Sequence, residues 1–437
     1  MAEIYKINDI EYEFECKLTN SDDQEVKFTK SAVRGMTISD SIFYPFITGT
    51  ISIANPYDFI ENEYLLRGDG RDEMYIMFQP KDKPDQKFEH TFVVTGDSNH
   101  VNPMVRSENI KTFTLHDKNT IPFSDEIPYG MGYSGKVGDI LKDIFKEVLG
   151  DEFVDEDNWE SGDFELVYVP PLSFRYIDLI HYLMRHYYAK DGDLYVKGFI
   201  SYDHEIEKYQ LKLISKLFEE NKDNLMEAFS LGDLTDKIDT SNPNNPPPDA
   251  ETGEYIGGLK NIGYSTPLYG WNNDFFVNNL VYGYDPILGE HKIRRLMIDD
   301  VQEKWEKKFV DVFKSNGGKP KAFVVKNKTT QKKFKHFRTP YPVENSVKMV
   351  EAEMHNALTF YNLQCTFSNF GDTRRESAKF IDIFKTKDEI IKSDEKILGR
   401  WLVTEVRHVF FADIYKNELM ACKTYIGPNG NIKSDGD

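Results

Sequence analysis

The sequence predicts an α+β fold that is mainly β. Segments in which apolar and polar residues alternate fill most of the chain before Pro122, two amphipathic helical segments follow, and two further alternating segments lie close to the C-terminus. With 437 residues, the chain is too long for one ordinary domain. We therefore expect two to four compact units rather than a single core.

Residues 1–122 read as the first of these units. The segment "EYEFECKL", residues 11–18, places every second apolar residue on one face, and "FITGTISIA", residues 46–54, does the same with Gly49, Ile51 and Ile53. Glycine and proline separate the strands, so five or six short strands are expected to form an antiparallel sheet or barrel.

Residues 123–225 change to a helical period. "GKVGDILKDIFKEVLG" predicts a helix that stops before Gly150, and "SFRYIDLIHYLMRHYYA" predicts a second with Ser173 as its N-cap. "DGDLYVKGFISYD", residues 191–203, reads as a hairpin. This part of the chain is predicted to be an inserted mixed α/β domain.

The rest of the chain is predicted to hold a second sheet domain. Residues 226–345 contain a linker with three consecutive prolines and are interpreted as the start of that domain with long loops or an extra lobe. Residues 346–437 are interpreted as the remainder of that domain. Around its start "NSVKMVEAEMHNALTFYNLQCTF", residues 345–367, reads as helix then strand, and "RWLVTEVRHVFF" with "YKNELMACKTYIG" reads as a closing hairpin.

Composition limits the function. The chain has 73 acidic and 54 basic residues and a formal charge of −19, which argues against a general nucleic-acid-binding surface. Cys16, Cys365 and Cys422 show no CxxC spacing, so a reducing compartment is expected rather than a disulfide framework. No secretory signal or long apolar run is visible, which predicts a protein made and folded in a cytoplasm.

No motif gives a positive reason to predict an enzyme. The tripeptide Arg67-Gly68-Asp69 is short enough to occur by chance, and His181 and His186 are five residues apart, which does not place both on one ligand face of a helix. Nucleotide-binding loops and a GxSxG elbow are missing from the sequence. We therefore predict no catalytic residue, no metal and no cofactor.

The segment "MTISDSIFYPFITGTISIANPYDFIENEYLLRGDGRDEMYIMFQ", residues 36–79, resembles the N-terminal tube domain of the central baseplate hub protein of contractile-tailed, T-even-like bacteriophages. The matching positions are Ile38, Ser41, Ile42, Pro45, Gly49, Ile51, Ile53, Gly68, Glu73 and Ile76. The closing segment of the family is similar to Gly399, Leu402, Val403, Val406, His408, Tyr415 and Leu419. The helical segments between residues 133 and 196 resemble the family's insertion domain.

The resemblance implies two tail-tube-like antiparallel β-barrel domains per chain and a trimeric, pseudo-sixfold ring. Such a homotrimer joins the hexameric tail tube to the trimeric cell-puncturing spike and contacts other baseplate proteins. DNA passes through its lumen without specific binding. The implied location is the tail baseplate of the virion, after assembly in the host bacterial cytoplasm. Three copies would carry three times −19, or −57, charges, and an acidic wall repels phosphate.

Several residues are candidate positions in the tube fold or at a subunit interface. Phe43, Tyr44 and Phe46 are either core residues or contacts to a neighbouring subunit. Trp401 and His408, seven residues apart, belong on opposite faces of a strand, and His408 is interpreted as packed and hydrogen-bonded. The other candidates are Gly49, Ile51, Ile53, Gly68, Glu73 and Tyr415.

Three alternatives stay open. The spike-base protein of a contractile secretion or injection system has the same predicted architecture. A carbohydrate-active protein would also be β-rich, aromatic and acidic. A peptidoglycan-degrading tail protein is the third, although the sequence contains no lytic-domain motif.

Overall fold

The computed structural model describes most of the chain in detail. The described residues are 3–7, 10–63, 72–81, 86–101, 104–203, 206–219, 225–230, 260–265, 278–285, 288–309, 321–322, 334–339, 341–360, 363–384, 397–411, 414–423 and 425–426. Over these residues the chain forms many strands and few helices, most strand pairs being antiparallel. The predicted α+β, mainly β class is confirmed.

Among the described residues, the region before the insertion contains eight strands and two short α-helices. They are β1 Glu3–Ile7, β2 Ile10–Thr19, β3 Glu25–Phe28, β4 Val33–Ser41, β5 Tyr44–Ala54, α1 Phe59–Glu63, β6 Glu73–Pro80, β7 Phe88–His100, β8 Ile110–Asp117 and α2 Thr120–Asp125. Five or six strands were expected here. The additional strands include the short β3, only four residues long, which pairs with the end of β2.

The inserted region alternates helices with short strands. Its elements are β9 Tyr133–Lys136, α3 Val137–Leu149, β10 Val154–Trp159, β11 Glu165–Tyr168, α4 Tyr176–His186, β12 Ala189–Asp191, β13 Leu194–Val196, β14 Gly198–Asp203, β15 Lys208–Leu213 and α5 Ile214–Glu219.

The remaining described elements lie between residues 225 and 426. They are β16 Leu225–Ser230, β17 Lys260–Ser265, β18 Asn278–Asp285, β19 Glu290–Leu296, α6 Ile298–Phe309, β20 Lys321–Ala322, β21 Phe334–Thr339, α7 Val343–Phe360, β22 Leu363–Phe370, β23 Phe380–Phe384, β24 Gly399–Phe411, β25 Ile414–Lys423 and β26 Tyr425–Ile426. The predicted helix-then-strand segment is α7 followed by β22, and the predicted C-terminal hairpin is β24 and β25.

By backbone contacts, the chain divides into two compact units. Unit 1 comprises residues 1–126, 368–377 and 405–419, and unit 2 comprises residues 127–367, 378–404 and 420–437. Unit 1 therefore takes its first part from the N-terminus and its last strands from the C-terminal hairpin. This two-way division does not decide the four domain boundaries expected from the sequence, which stay predictions.

Unit 1 is one sheet with a single apolar core. Its strand order is β1-β2-β6-β7-β8-β5-β4-β24, and the last of these pairs places His408 beside Ile38. Alternation turns Leu18, Ile51 and Ile53 into the core, where each is completely buried. Tyr12 packs edge-on against Tyr415, with 5.6 Å between the ring centroids. Tyr415 lies on β25, which follows β24 in the sheet, so side chains from β2 and from the C-terminal hairpin share one core.

In unit 2 the predicted stop of helix α3 is confirmed, and the predicted N-cap of helix α4 is wrong. Helix α3 ends at Leu149, and Gly150 follows at a φ of 113°, as its predicted stop requires. Helix α4 begins at Tyr176, so Ser173 is not its N-cap. The Arg175 backbone N–H instead donates to the Asp178 carboxylate at 3.2 Å, which closes the first turn.

Two other features of unit 2 differ from expectation. The predicted hairpin over residues 191–203 is a hairpin of β12 and β13, while β14 turns away and pairs with β15. In the sheet ordered β16-β23-β24-β25-β22-β17, strands β16 and β23 run parallel. Backbone closure into two barrels is not recorded among the described strand pairs, so the barrels stay a prediction.

Candidate functional site

The aromatic cluster at the β4–β5 turn is divided between core and surface. Phe46 is buried and packs against Phe123, with 5.5 Å between ring centroids. Tyr44 is half-buried and lies edge-on to Phe46. Phe43 is 59% exposed. Of the three aromatic rings, Phe43 is the most exposed, and its place at a subunit interface stays a prediction.

The other candidates on β5 are Gly49, Ile51 and Ile53, which lie on the core side of the strand. A Cβ added at Gly49 would lie 2.9 Å from the Thr37 carbonyl oxygen on β4, closer than real Cβ contacts allow. Ile51 and Ile53 are completely buried on the same face of the strand. These three positions therefore serve the close packing of β5 against β4 and the core of unit 1.

Glu73 and Gly68 were also candidates. Glu73 begins β6 at the surface and forms an ion pair with Lys118 at 2.5 Å. Such an exposed pair contributes little to stability. Gly68, together with the tripeptide Arg67-Gly68-Asp69, lies outside the described residues.

Trp401 and His408 lie on opposite faces of β24 by strand alternation. Trp401 is completely buried in unit 2, and its indole N–H donates to the Ile397 carbonyl oxygen at 2.6 Å. The ammonium of Lys423 lies 4.6 Å from the centre of the indole ring. Burial lowers the pKa of Lys423 to about 7, so this amine loses its proton far more readily than an exposed lysine.

His408 belongs to a buried polar network in unit 1. Its Nδ1 lies 2.7 Å from the Tyr415 hydroxyl oxygen and 3.0 Å from the Asn417 amide nitrogen. An amide nitrogen can only donate, so Nδ1 is the acceptor, the proton of the neutral ring is on Nε2, and the Tyr415 hydroxyl is the second donor. Burial raises the pKa of Tyr415 well above its usual value, which keeps this hydroxyl neutral.

Arg375 connects this network to the loop before β23. Its guanidinium, which is almost completely buried, donates to the Asn417 side-chain oxygen at 2.8 Å. The same oxygen accepts the Asp372 backbone N–H at 2.6 Å. Burial alone would raise the pKa of the Asp372 carboxyl. Hydrogen bonds from Arg374 and the positive charge of the nearby Arg375 outweigh burial, so this pKa is lowered. Sequence reasoning missed Arg375 and Asn417, because neither an arginine in a loop nor an asparagine in a strand gives a local signal of burial.

The outer face of β8, β5 and β4 is lined by small hydroxyl side chains. Strand register places Thr114, Thr50 and Thr37 in one row across the three strands. The neighbouring rows are Thr112, Ser52 and Gly35 on one side and His116, Thr48 and Ser39 on the other. Burial lowers the pKa of His116, so the ring is neutral at neutral pH. This hydroxyl face carries no charge in a strongly acidic protein.

In the part of the chain that the structure describes, no group of three or more histidine, cysteine or acidic side chains is arranged to hold a metal ion. No helix within the described ranges is both long and apolar enough to cross a lipid bilayer.

Comparison with known proteins gives matches by structure but none by sequence. No family model and no curated protein matches the chain. A tail protein from Neisseria meningitidis MC58 superposes with a TM-score of 0.53 at 8% identity, over 94% of this chain and 96% of that one. The chain has a tail-protein fold.

A second solved structure agrees with the first. The 43 kDa tail protein of prophage MuSo2 from Shewanella oneidensis superposes with a TM-score of 0.50 at 8% identity, over 93% of this chain and 97% of that one. The c3393 protein of E. coli, a component of the type VI secretion system, matches at a TM-score of 0.43, which is too low to carry weight. The resemblance seen in residues 36–79 is thus confirmed at the level of the tail-protein fold.

Proposed function

We propose that the chain is a structural subunit of a bacteriophage contractile tail, the central hub of its baseplate. The observation that carries this proposal is the fold match to a tail protein over 94% of the chain. Three copies form a ring that joins the hexameric tail tube to the trimeric puncturing spike and contacts other baseplate proteins. The protein acts in the virion, after assembly in the bacterial cytoplasm.

The architecture of unit 1 supports a ring. A sheet with unpaired edges tends to pair with other chains, and closing the edges within a ring of subunits removes that hazard. A closed ring also gives each subunit the same surroundings. We propose that two tube-like domains per chain supply the pseudo-sixfold symmetry that a hexameric tube requires.

The charge of the chain supports a passage for DNA. A formal charge of −19 per subunit discourages phosphate from adhering. The hydroxyl face of β4, β5 and β8 consists of threonine, serine and glycine with one neutral histidine, so these rows offer no cation that would hold phosphate. We propose this face as part of the lumen wall, and a structural rather than an enzymatic role for the chain.

The test is the mass of the purified protein by light scattering, with negative-stain images of the same peak. A ring of three chains has a mass of three times 50.8 kDa, or about 152 kDa, and shows a central hole. A particle of 50.8 kDa that persists at high micromolar concentration and with candidate spike proteins present contradicts the hub. Hydrolysis of glycans or peptidoglycan by that monomer would favour the carbohydrate-active or peptidoglycan-degrading alternative.

A further inference from the structure

Strand β18 is the centre of a three-stranded sheet with one covered side. Strand β19 pairs with it antiparallel and β21 pairs with it parallel. On the covered side Val281 is completely buried, and a Cβ at Gly283 would lie 2.3 Å from the backbone of Val343, the first residue of α7. Alternation therefore turns Tyr282 and Tyr284 to the opposite side.

That opposite side is rich in aromatic and cationic side chains. Register places Ile293 and Arg338 on either side of Tyr282, and Arg295 and His336 on either side of Leu280. The His336 ring stacks on Tyr282 with 5.7 Å between centroids, and the Arg338 guanidinium lies 5.7 Å from the same ring. We call Tyr282, Tyr284, Ile293, Arg295, His336 and Arg338 the basic sheet face.

The composition of the basic sheet face favours a protein partner. Ile293 is 55% exposed, and Arg295, His336 and Arg338 are exposed as well. Interface centres are enriched in tyrosine and arginine and depleted of lysine, aspartate and glutamate, and these six positions contain none of the depleted types. A cationic face on an acidic protein attracts carboxylates, so the partner surface is expected to be apolar with an acidic rim.

The chain itself presents such a surface. Two 3-10 turns, Pro56–Asp58 and Arg106–Glu108, pack against each other at one end of β5 and β8. The apolar side chains at these turns are Tyr57, 68% exposed, Phe59, 42%, Val101, 52%, Met104, 91%, and Val105, 41%. Asp58 and Glu108 belong to the two turns, Glu61 to the adjoining α1 and Asp97 to β7. Lys111 pairs with Glu61 and Asp97, so these four carboxylates are accompanied by one lysine. We call this set the acidic-rimmed patch.

The acidic-rimmed patch is held in an unfavourable backbone conformation. Tyr57 and Asp58 have φ values of 55° and 56°, in the left-handed region that non-glycine residues avoid. The Asn55 side-chain oxygen accepts the Ile60 N–H at 2.8 Å, and the Asn109 amide donates to Asp58 at 3.1 Å. Such strain persists only where the surroundings enforce it, and it is concentrated at functional sites.

We propose that the basic sheet face of one copy docks on the acidic-rimmed patch of a neighbouring copy. Both surfaces expose apolar side chains, and the arginines of one are opposite in charge to the carboxylates of the other. Because they are different surfaces, the contact is heterologous, and repeated contacts of that kind form a ring when the rotation between neighbours closes and a filament when it does not. The hub requires the closed form. The inference rests on the proposed function in so far as the hub is a ring of identical chains.

The experiment uses two variants of the full chain and their matched controls. The face variant is Arg295→Glu with Arg338→Glu, and its control is Arg294→Glu with Lys335→Glu, the same charge change on the same strands but on the other side of the sheet. The patch variant is Tyr57→Ser with Met104→Asp. Its control is Val167→Asp with Leu172→Ser, at positions that are 83% and 69% exposed and belong to neither surface.

We expect each variant to be monomeric at concentrations at which the wild type and both controls form the ring, because each loses at least about tenfold in affinity. An equimolar mixture of the two variants is expected to form particles of two chains and none larger, because one sound contact remains. Circular dichroism of each variant checks that it is folded.

Two results would overturn the docking while leaving the ring intact. One is a face or patch variant that keeps the mass of the ring, and the other is a mixture that stays monomeric although each variant alone has lost the ring. A wild-type monomer would overturn the docking and the ring together. Binding of a labelled single-stranded oligonucleotide that only the face variant loses, with its mass unchanged, would assign the basic sheet face to nucleic acid instead.

Discussion

His408 and Tyr415 face each other across the C-terminal hairpin, with 2.7 Å between Nδ1 and the hydroxyl oxygen, and both are buried. The Asn417 amide donates to the same nitrogen, and Arg375 donates to Asn417. The hairpin thus brings a histidine, a tyrosine and an asparagine into one network, inside a core otherwise made of aromatic and aliphatic side chains. A buried polar network stabilises a fold only while its members are satisfied.

Substitution of His408 tests this network. His408→Leu removes the acceptor shared by the Tyr415 hydroxyl and the Asn417 amide, so the free energy of unfolding is expected to fall by about 2–4 kcal/mol. Tyr415→Phe removes one donor and is expected to cost about 1 kcal/mol. Urea unfolding followed by fluorescence gives both values. Equal values for the two variants would contradict a shared acceptor.

Gly49 tests the close approach of β4 and β5. Gly49→Ala places a methyl group 2.9 Å from the Thr37 carbonyl oxygen and is expected to destabilise the protein by about 1–3 kcal/mol. The control is Gly35→Ala, where the nearest atom is at 3.7 Å and the change is expected to be neutral or stabilising by up to about 1 kcal/mol. Similar values from thermal unfolding would show that β4 moves away without cost.

The buried amine of Lys423 is expected to make the free energy of unfolding depend on pH. Burial lowers its pKa from 10.5 to about 7, so between these values the unfolded chain binds a proton that the folded chain has lost. The free energy of unfolding is therefore expected to rise with pH across this window, by at most about 1.4 kcal/mol per pH unit. Below the window both states carry the proton, so the burial of the charged lysine destabilises the folded state by a constant amount and adds nothing to the pH slope.

The Lys423→Met variant isolates this contribution. It is expected to be less dependent on pH than the wild type in urea titrations from pH 6 to pH 9.5, and more stable than the wild type at the acidic end. Lys416→Met, on the same strand but 39% exposed and paired with Glu418, is the control and should keep the wild-type slope. A slope unchanged in Lys423→Met would contradict the lowered pKa.

Lys111 is expected to stabilise the strained turn at Tyr57. Its ammonium is buried and pairs with Glu61 at 2.8 Å and with Asp97 at 2.6 Å. Lys111→Met leaves both carboxylates without this cation and is expected to cost about 2–3 kcal/mol, because the pairs are partly buried. Lys118→Met, which breaks only the exposed pair with Glu73, is expected to cost less than about 1 kcal/mol. Chemical denaturation of the two variants makes the comparison.

The hydroxyl face is expected to bind no duplex DNA. The starting protein carries Arg295→Glu with Arg338→Glu, so that the basic sheet face cannot contribute, and it is expected to show no measurable binding of a fluorescent duplex by anisotropy at about 0.1 M salt. Adding Thr50→Lys with Thr114→Lys places cations in the middle row and is expected to create binding that falls steeply with salt. Salt-dependent binding by the starting protein would contradict a non-adhesive wall.

Much of the local structure was predictable from the residues. Alternation identified β2, β5 and the C-terminal hairpin, and helical spacing identified α3 with its stop at Gly150. The start of α4 was not predictable from an N-cap rule, because Arg175 and Asp178 close that turn with a backbone donor in place of the Ser173 hydroxyl. The aromatic residues around Pro45 were identified, but not that Phe43 alone among them is exposed.

The pairing of distant strands could not be predicted in the same way. Residues Glu405–Phe411 pair with Gly35–Ser41, and β16 pairs in parallel with β23, although long stretches of chain separate the partners. Alternation says which face of a strand is apolar and nothing about which strand lies beside it. Partner choice depends on contacts that form only when the whole core is assembled.

By itself, then, the sequence determined the mainly β class, the helices of the insertion, the negative charge and the resemblance to phage tail hubs, because period, composition and short motifs are local properties. Only the tertiary structure decided that Lys423, Lys111 and Arg375 are buried, that His408 accepts from Tyr415, and that aromatic and cationic side chains collect on one side of β18. The environment of a charged or polar side chain depends on neighbours from distant parts of the chain, and no local pattern records it.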